Sequence, residues 1–254
     1  MNDVSVLAEL YSKASKHSNY QRLPTVLKKH LDEDLLRIKS RNEYERLSYI
    51  LQNVPVRNKS VLDIGANTGF FSFALMENGA QSVRIYEGNQ EHADFIRYAA
   101  QFIGMDGKMT VENAYFDFTA PQKGVHYDIA LLLNVVHHIG DDYGDFSIGQ
   151  QAAKRSIIES VNNLFSTTNV LIFQLGFNWQ GDKNKPLFAT GTKQEMIAFL
   201  KEGIEKRWNI LKIGVPVLMD GNIVYCDLDE DNVKRDDSLG EFLNRPLFIL
   251  QSRG

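Results

Sequence analysis

Two short stretches hold residue types whose spacing could do chemistry. The first is Asp63-x-Gly65-x-Asn67-x-Gly69, directly after the apolar run Val61-Leu62. Its glycines permit positive φ or close backbone approach, Asn67 can donate or accept hydrogen bonds, and Asp63 adds negative charge. A dinucleotide turn needs G-x-G-x-x-G, because its second glycine lets the backbone approach a pyrophosphate. Here that position is Asn67, so the spacing suits a phosphate-free ligand with a cationic end. Glu87 closes a second apolar run, Ser82–Tyr86, where a carboxylate can accept both hydroxyls of a ribose.

The second stretch is Asn134-Val-Val-His137-His138-Ile-Gly-Asp141-Asp142-Tyr143, after the apolar run Tyr127–Leu133. Histidine suits proton removal near neutral pH, and adjacent histidines at a strand end offer one that faces a ligand; either can equally be structural. Asp141 and Asp142 could orient a histidine, bind an acceptor or join a hard-metal site. A metal needs several oxygens converging in space, and a helix N-cap explains the pair more simply, so no metal is expected.

The elements that must position these groups are legible in the pattern. Ser60–Ile64 is a strand, followed by the glycine turn and an apolar helix, Phe70–Glu77; Ser82–Tyr86 is a second strand before a helix at Gln90–Ile103. Strands follow at Lys108–Glu112, Tyr127–Leu133 and Val170–Leu175, with a helix at Gln150–Leu164. This alternation predicts an α/β architecture, a parallel sheet with helices on both faces, whose ligands bind at the carboxyl ends of the strands. A helix at Lys193–Lys206 precedes late strands at Asn209–Ile213, Asn222–Asp227 and Leu247–Gln251, with one antiparallel pair finishing the sheet; Asp227–Asp237 reads as a solvated excursion. Residues 1–59 form a helical N-terminal cap or lid and residues 60–254 the main domain. Within the cap, Tyr11–Pro24 is polar, aromatic and basic without periodicity, and reads as an irregular segment.

The run V-L-D-I-G-A-N-T-G-F-F resembles the first motif of the class I S-adenosylmethionine (SAM)-dependent methyltransferases, and the resemblance covers about Ser60–Leu175. It implies a Rossmann-like sheet and SAM as cofactor. Carried over by position, it implies methionine-end contacts from Asp63 and Gly65, ribose contacts from Glu87, and adenine contacts from Asn113, Ala114 and Tyr115. Asn67, Gly69 and Asn134 complete the expected cofactor set. Many members carry an asparagine or serine and then a histidine after the fourth strand, which favours His138 over His137 as the base, although in many of them that histidine is structural. The N-terminal segment with Lys16, His17 and Tyr20, together with L-N-V-V-H-H-I-G-D-D-Y-G, is similar to methyltransferases of bacterial surface-polysaccharide biosynthesis, including the methyltransferase part of O-antigen chain-terminating enzymes. That implies methyl transfer to a hydroxyl, or to a terminal phosphate, of a sugar or glycan precursor. Expected acceptor contacts are Lys16, His17, Tyr20, Asp141, Asp142, Asn178 and Trp179, the last of which could equally cap the core.

Composition narrows the alternatives. At 254 residues, 43% hydrophobic and 24% charged, the chain can bury a substantial core. A formal charge of −4 supplies no general basic field for a phosphate backbone, so no nucleic-acid partner is expected. Methylation of RNA or of a nitrogen acceptor is the competing enzyme reading, weakened also by the lack of a D/N-P-P-Y/F motif. A non-catalytic cofactor-binding module is the competing non-enzyme reading. A nicotinamide dehydrogenase is disfavoured by Asn67. The single cysteine, Cys226, excludes an internal disulfide, and no apolar run has the length of a signal peptide or membrane span, so a cytoplasmic setting is expected.

Overall fold

Short apolar runs alternate with amphipathic stretches through the first half of the chain, and each becomes the element its period dictates. The computed structural model describes residues 3–13, 20–34, 36, 38, 40–120 and 124–253. The chain divides into two compact units, Met1–Phe116 and Asp117–Gly254.

In the first unit, β1 (Ser60–Ile64), β2 (Ser82–Tyr86) and β3 (Met109–Glu112) lie parallel in the order β3-β2-β1. Val61 pairs with Val83, and Ile85 with Val111. Val61, Leu62 and Ile64 are all buried, which is why β1 reads as continuous apolar sequence rather than as an alternation. The helices are α1 (Val4–Ser12), α2 (Thr25–Lys28), α3 (Glu43–Asn53), α4 (Phe70–Glu77) and α5 (Gln90–Phe102). α4 is buried from Phe70 through Met76 and so is apolar all round. α5 buries the apolar stripe of Ala93, Phe95, Ile96, Ala99 and Ala100 together with His92, and starts where Asn89 Oδ1 accepts the His92 N–H at 3.0 Å.

Of the segment expected to be irregular, only Tyr11 and Ser12 are helical among the described residues, while Lys13 and residues 20–24 are irregular. Tyr11 and Ser12 complete α1, because Leu7 and Tyr11, four residues apart, are both buried. The Tyr11 ring stands edge-on to Phe95 at 5.1 Å, and its hydroxyl donates to Gln21 O at 2.7 Å.

In the second unit, β4 (Tyr127–Leu133), β5 (Thr168–Gln174), β6 (Trp208–Met219), β7 (Asn222–Asp227) and β8 (Leu247–Ser252) run in the order β4-β5-β8-β6-β7, with α6 (Gln150–Asn163) and α7 (Lys193–Ile204). β4 and β5 are parallel. The expected single antiparallel pair is instead three: β8 with β5, β6 with β8, and β7 with β6. β6 is also far longer than Asn209–Ile213, because an irregularity between Ile210 and Lys212 breaks the alternation that would have revealed it. β6 and β7 join through Asp220-Gly221, both at positive φ, a two-residue turn whose twist matches the strands. The charged excursion after β7 is anchored: buried Lys193 donates from Nζ to the carbonyls of Asn232 and Lys234, both at 2.9 Å. Among the described residues no helix is long and apolar enough to cross a membrane.

Candidate functional site

The turn after β1 in the first unit is built from left-handed residues. Gly65, Asn67 and Gly69 have φ of 72°, 57° and 81°. Gly65 N–H donates to Tyr86 O at 2.8 Å, tying the turn to β2. At Gly69 an added Cβ would meet Ile96 at 3.1 Å and Phe73 at 3.2 Å, so both backbone conformation and packing call for glycine. Asn67 stands where a dinucleotide turn would place glycine, and asparagine is among the few side chains at ease there. Its Oδ1 accepts the Thr68 N–H at 2.8 Å.

Asp63 and Glu87, the two acids assigned to the cofactor, occupy different environments. The Asp63 carboxylate is buried and accepts from Ser72 Oγ at 2.7 Å; burial pushes its pKa up to about 6, with the Ser72 hydrogen bond pulling the other way. Glu87, also buried, accepts the Asn67 N–H on Oε2 at 2.7 Å and the Asn89 N–H on Oε1 at 2.8 Å, with His92 Nδ1 3.9 Å from Oε1. A carboxylate has about four lone-pair sites and so can accept from several donors at once, vicinal hydroxyls among them. An accepting carboxylate is the kind of group that the ribose hydroxyls of SAM require.

The segment after β3 supplies an apolar platform beside Glu87. Asn113 Nδ2 donates to Glu87 O at 3.0 Å and to Gly88 O at 3.3 Å. The Tyr115 ring, half exposed, lies so close to Gly88 that a Cβ there would be 2.3 Å from Cε1. Ala114 is exposed. A purine has the shape and the apolar faces to lie on such a ring.

The N-terminal segment reaches the same turn. Gln21 Oε1 accepts from Thr68 Oγ1 at 3.1 Å and from the Phe70 N–H at 3.2 Å, capping α4. Tyr20 carries the Arg41 guanidinium 4.3 Å over its ring. Lys16 and His17 lie outside the described residues.

In the second unit, Asn134 follows β4 directly at φ 61°, and its side chain is held at both ends. Its Nδ2 donates to Gln174 Oε1 at 2.9 Å, and its Oδ1 accepts from Arg245 Nη1 at 2.8 Å. Gln174 Nε2 donates to Arg245 O at 3.0 Å, and Arg245 reaches Glu241 Oε1 at 2.7 Å through Nη2. Neither Arg245 nor Glu241 carries a motif that would mark it in the sequence.

The adjacent histidines part company. His137 is buried, and its Nδ1 accepts the Gly176 N–H at 3.4 Å, which places the proton of the neutral ring on Nε2. His138 is partly exposed and turns Nδ1 toward two carboxylates, Asp142 Oδ2 at 3.4 Å and Asp141 Oδ2 at 3.8 Å. One ligand atom from each of these three residues lies within 4.8 Å of the others, close enough to share a cation as well as a proton. The N-cap explanation of Asp141 and Asp142 does not hold: α6 starts only at Gln150, after Gly149. Burial, and then the charge of Asp142, push the Tyr143 phenol above its ordinary range. Asn178 bridges to Pro186, and buried Trp179 donates from Nε1 to Ile139 O at 2.6 Å.

The expected residues thus gather into two groups, one in each unit. Asp63, Gly65, Asn67, Gly69, Glu87, Asn113, Ala114 and Tyr115 belong to the first; Asn134, His137, His138, Asp141, Asp142, Asn178 and Trp179 belong to the second. Ser72, Arg245 and Gln180 are contacts that sequence reasoning missed; the partners of Arg245 and Gln180 are far away in the chain, while Ser72 is nine residues from Asp63 inside an apolar helix.

No protein-family model matches the sequence, and no curated protein is similar to it. Solved structures are similar in fold. The bifunctional kinase-methyltransferase WbdD is 19% identical, with a TM-score of 0.53 over 96% of this chain and 46% of its own; a second WbdD structure gives a TM-score of 0.60 at 18% identity, over 96% and 40%. A candidate SAM-dependent methyltransferase from Streptococcus mutans is 15% identical with a TM-score of 0.50, over 81% and 48%. A candidate RNA methyltransferase from Pyrococcus horikoshii is 14% identical over 98% of both chains, with a TM-score of 0.47. This chain therefore spans less than half the length of WbdD and of the Streptococcus protein. By these likenesses the chain has the Rossmann-like fold of class I SAM-dependent methyltransferases.

Proposed function

We propose that this chain is a SAM-dependent O-methyltransferase whose acceptor is a hydroxyl, or a terminal phosphate, of a sugar or glycan precursor in surface-polysaccharide biosynthesis. The observation that carries the cofactor reading is buried Glu87, a carboxylate directly after β2 that braces the turn after β1. The Tyr115 ring on Gly88 is the adenine platform in this reading, and Gly65 and Asn67 line the methionine end. Asp63 acts from beneath the turn, through its charge and its bond to Ser72. When bound, SAM supplies an electrophilic methyl group on a positively charged sulfur.

The acceptor must lose a proton as its oxygen attacks, and His138 is the group assigned to take it. With Nδ1 turned to Asp142 and Asp141, at 3.4 and 3.8 Å, this reading puts the proton of the neutral ring on that side and gives Nε2 the role of acceptor. The imidazolium that forms is stabilised by the same carboxylates. His137 is assigned to structure, since Gly176 occupies its Nδ1. Asn134 is assigned to fixing the end of β4, and Tyr20 to the acceptor side with the N-terminal cap as a lid. The glycan reading is supported by the sequence resemblance of the segment around His138 and by the net charge of −4.

The test is transfer of label from methyl-tritiated SAM to a panel of nucleotide sugars, oligosaccharides bearing a terminal phosphate, and RNA. Labelling of a saccharide in the wild type and its loss in His138→Asn support the reading. Labelling of RNA alone would replace it.

A further inference from the structure

Behind the His138 loop lies a turn whose hydrogen bonds the expected acceptor role of Trp179 does not explain. Trp179 and Gln180 are consecutive, and their side chains donate to consecutive carbonyls: Trp179 Nε1 to Ile139 O at 2.6 Å, and Gln180 Nε2 to Gly140 O at 2.7 Å. Those carbonyls lie between His138 and Asp141. The Lys185 ammonium donates to Gln180 Oε1, which fixes the orientation of the amide, and also stands 5.1 Å over the Trp179 ring. The next residue, Gly181, passes the histidine itself; a Cβ there would lie 3.5 Å from His138 Cε1.

The loop so held is tight. Asp141 N–H and Asp142 N–H both donate back to His138 O, at 3.0 and 3.1 Å, and Gly140 N–H donates to Tyr143 O at 2.7 Å. Rotation of the Gly140 peptide would therefore carry Asp141 and Asp142 relative to the His138 ring. Gln180 makes its contact from φ 58°, ψ 16°, a left-handed conformation where glycine is at ease and glutamine is not. Glycine would serve the backbone better, so the side chain is what distinguishes the residue here.

We infer that Gln180 is a positioning residue for the His138–Asp142 pair: its amide holds the Gly140 peptide, and that peptide sets where the carboxylates stand around the His138 ring. The catalytic side of this inference rests on His138 being the base; the geometric side does not.

The experiment compares the wild type with Gln180→Gly, which relieves the backbone and removes the amide, and with Gln180→Glu, which keeps the length but loses the donor. Each is read by thermal denaturation, by proton–nitrogen correlation spectra of the histidine rings, and by methyl transfer to a saccharide that the wild type methylates. The expected result is that Gln180→Gly melts no lower than the wild type. In both variants the His138 ring signals move while those of His137, held by Gly176, stay. Turnover falls about tenfold with KM for SAM changed less than about twofold, as a small misplacement of a base predicts. Folded variants with unmoved His138 signals overturn the inference, as does equal movement of both histidines with a lowered melting temperature, which would mark general loosening. If the wild type methylates nothing, the enzyme reading fails and the spectra alone decide: movement confined to His138 sustains the positioning role, and its absence overturns it.

Discussion

Glu87 accepts the backbone N–H of Asn67 at 2.7 Å, so the acid that ends β2 holds the turn that follows β1. With Asn89 on its other oxygen, one carboxylate joins two strand-to-helix connections. A ligand that engaged Glu87 would thus be read by the turn as well, which gives the residue a structural and a binding consequence that substitution can separate.

Glu87→Gln keeps the size of the side chain but sets an NH2 against a backbone N–H. A loss of about 1–3 kcal/mol in stability is expected in urea denaturation, the cost of an unsatisfied buried donor. SAM affinity should fall by about tenfold or more, one lost charge-assisted contact being worth at least about 1.4 kcal/mol. Unchanged affinity in the destabilised variant would confine Glu87 to bracing the turn.

Gly88→Ala places a methyl group where the Tyr115 ring now lies, 2.3 Å from Cε1. Tyr115 is half exposed and can swing outward, so the variant should fold with nearly wild-type stability while SAM binds more weakly. Tyr115→Ala should weaken SAM binding similarly, and the double variant should be little worse than either. Full additivity of the two losses would argue against a shared adenine platform.

Asp63 predicts a pH signature. Its folded pKa, about 6, lies above the ordinary carboxylate value of 3.8, so its contribution to stability is fully present below about pH 4 and is lost as the pH rises through about 6. The loss is of the order of 3 kcal/mol at most, since each unit is worth about 1.36 kcal/mol. Denaturation at intervals from pH 4 to pH 7 should show this decline in the wild type and a flatter profile in Asp63→Asn. Parallel profiles would place the carboxylate in a wetter setting than its burial beside Ser72 implies.

His138→Asn should lower turnover by about 10²- to 10⁴-fold, the usual worth of a positioned base, and leave SAM binding nearly intact. Asp142→Asn should lower it less. His137→Ala should act on stability instead, because His137 is buried against Gly176. Normal turnover of His138→Asn across a pH series would reassign the ring to structure.

Because this account gives His138, Asp141 and Asp142 to proton handling, dialysis against a chelator should leave turnover unchanged. Activity lost to the chelator and restored by magnesium or manganese would make them ligands instead.

Much of this could be read in advance wherever the signal was local. Ser60–Ile64, Ser82–Tyr86 and Tyr127–Leu133 appear as strands with the expected bounds, because apolar runs end at glycine, acid or asparagine. Asn67 could be told from a dinucleotide glycine for the same reason. The far end of β6 could not, since the irregularity near Leu211 breaks its period and Gly214 and Pro216 read as breakers. The cap that Gln21 places on the helix at Phe70 left no mark either, since it joins residues 49 apart. Trp179 was expected at the acceptor or as a cap on the core, and Gln180 drew no expectation, because the carbonyls they hold are about 40 residues away and side-chain-to-backbone pairing at that distance leaves no pattern.

The most direct test is calorimetric titration of purified, cofactor-free protein with SAM and S-adenosylhomocysteine, using NAD as the comparison ligand. The account predicts saturable binding of the first two at one site, none of NAD, and loss of binding in Glu87→Ala. Folded protein that binds neither methyl-donor ligand, or binds NAD in their place, would contradict it.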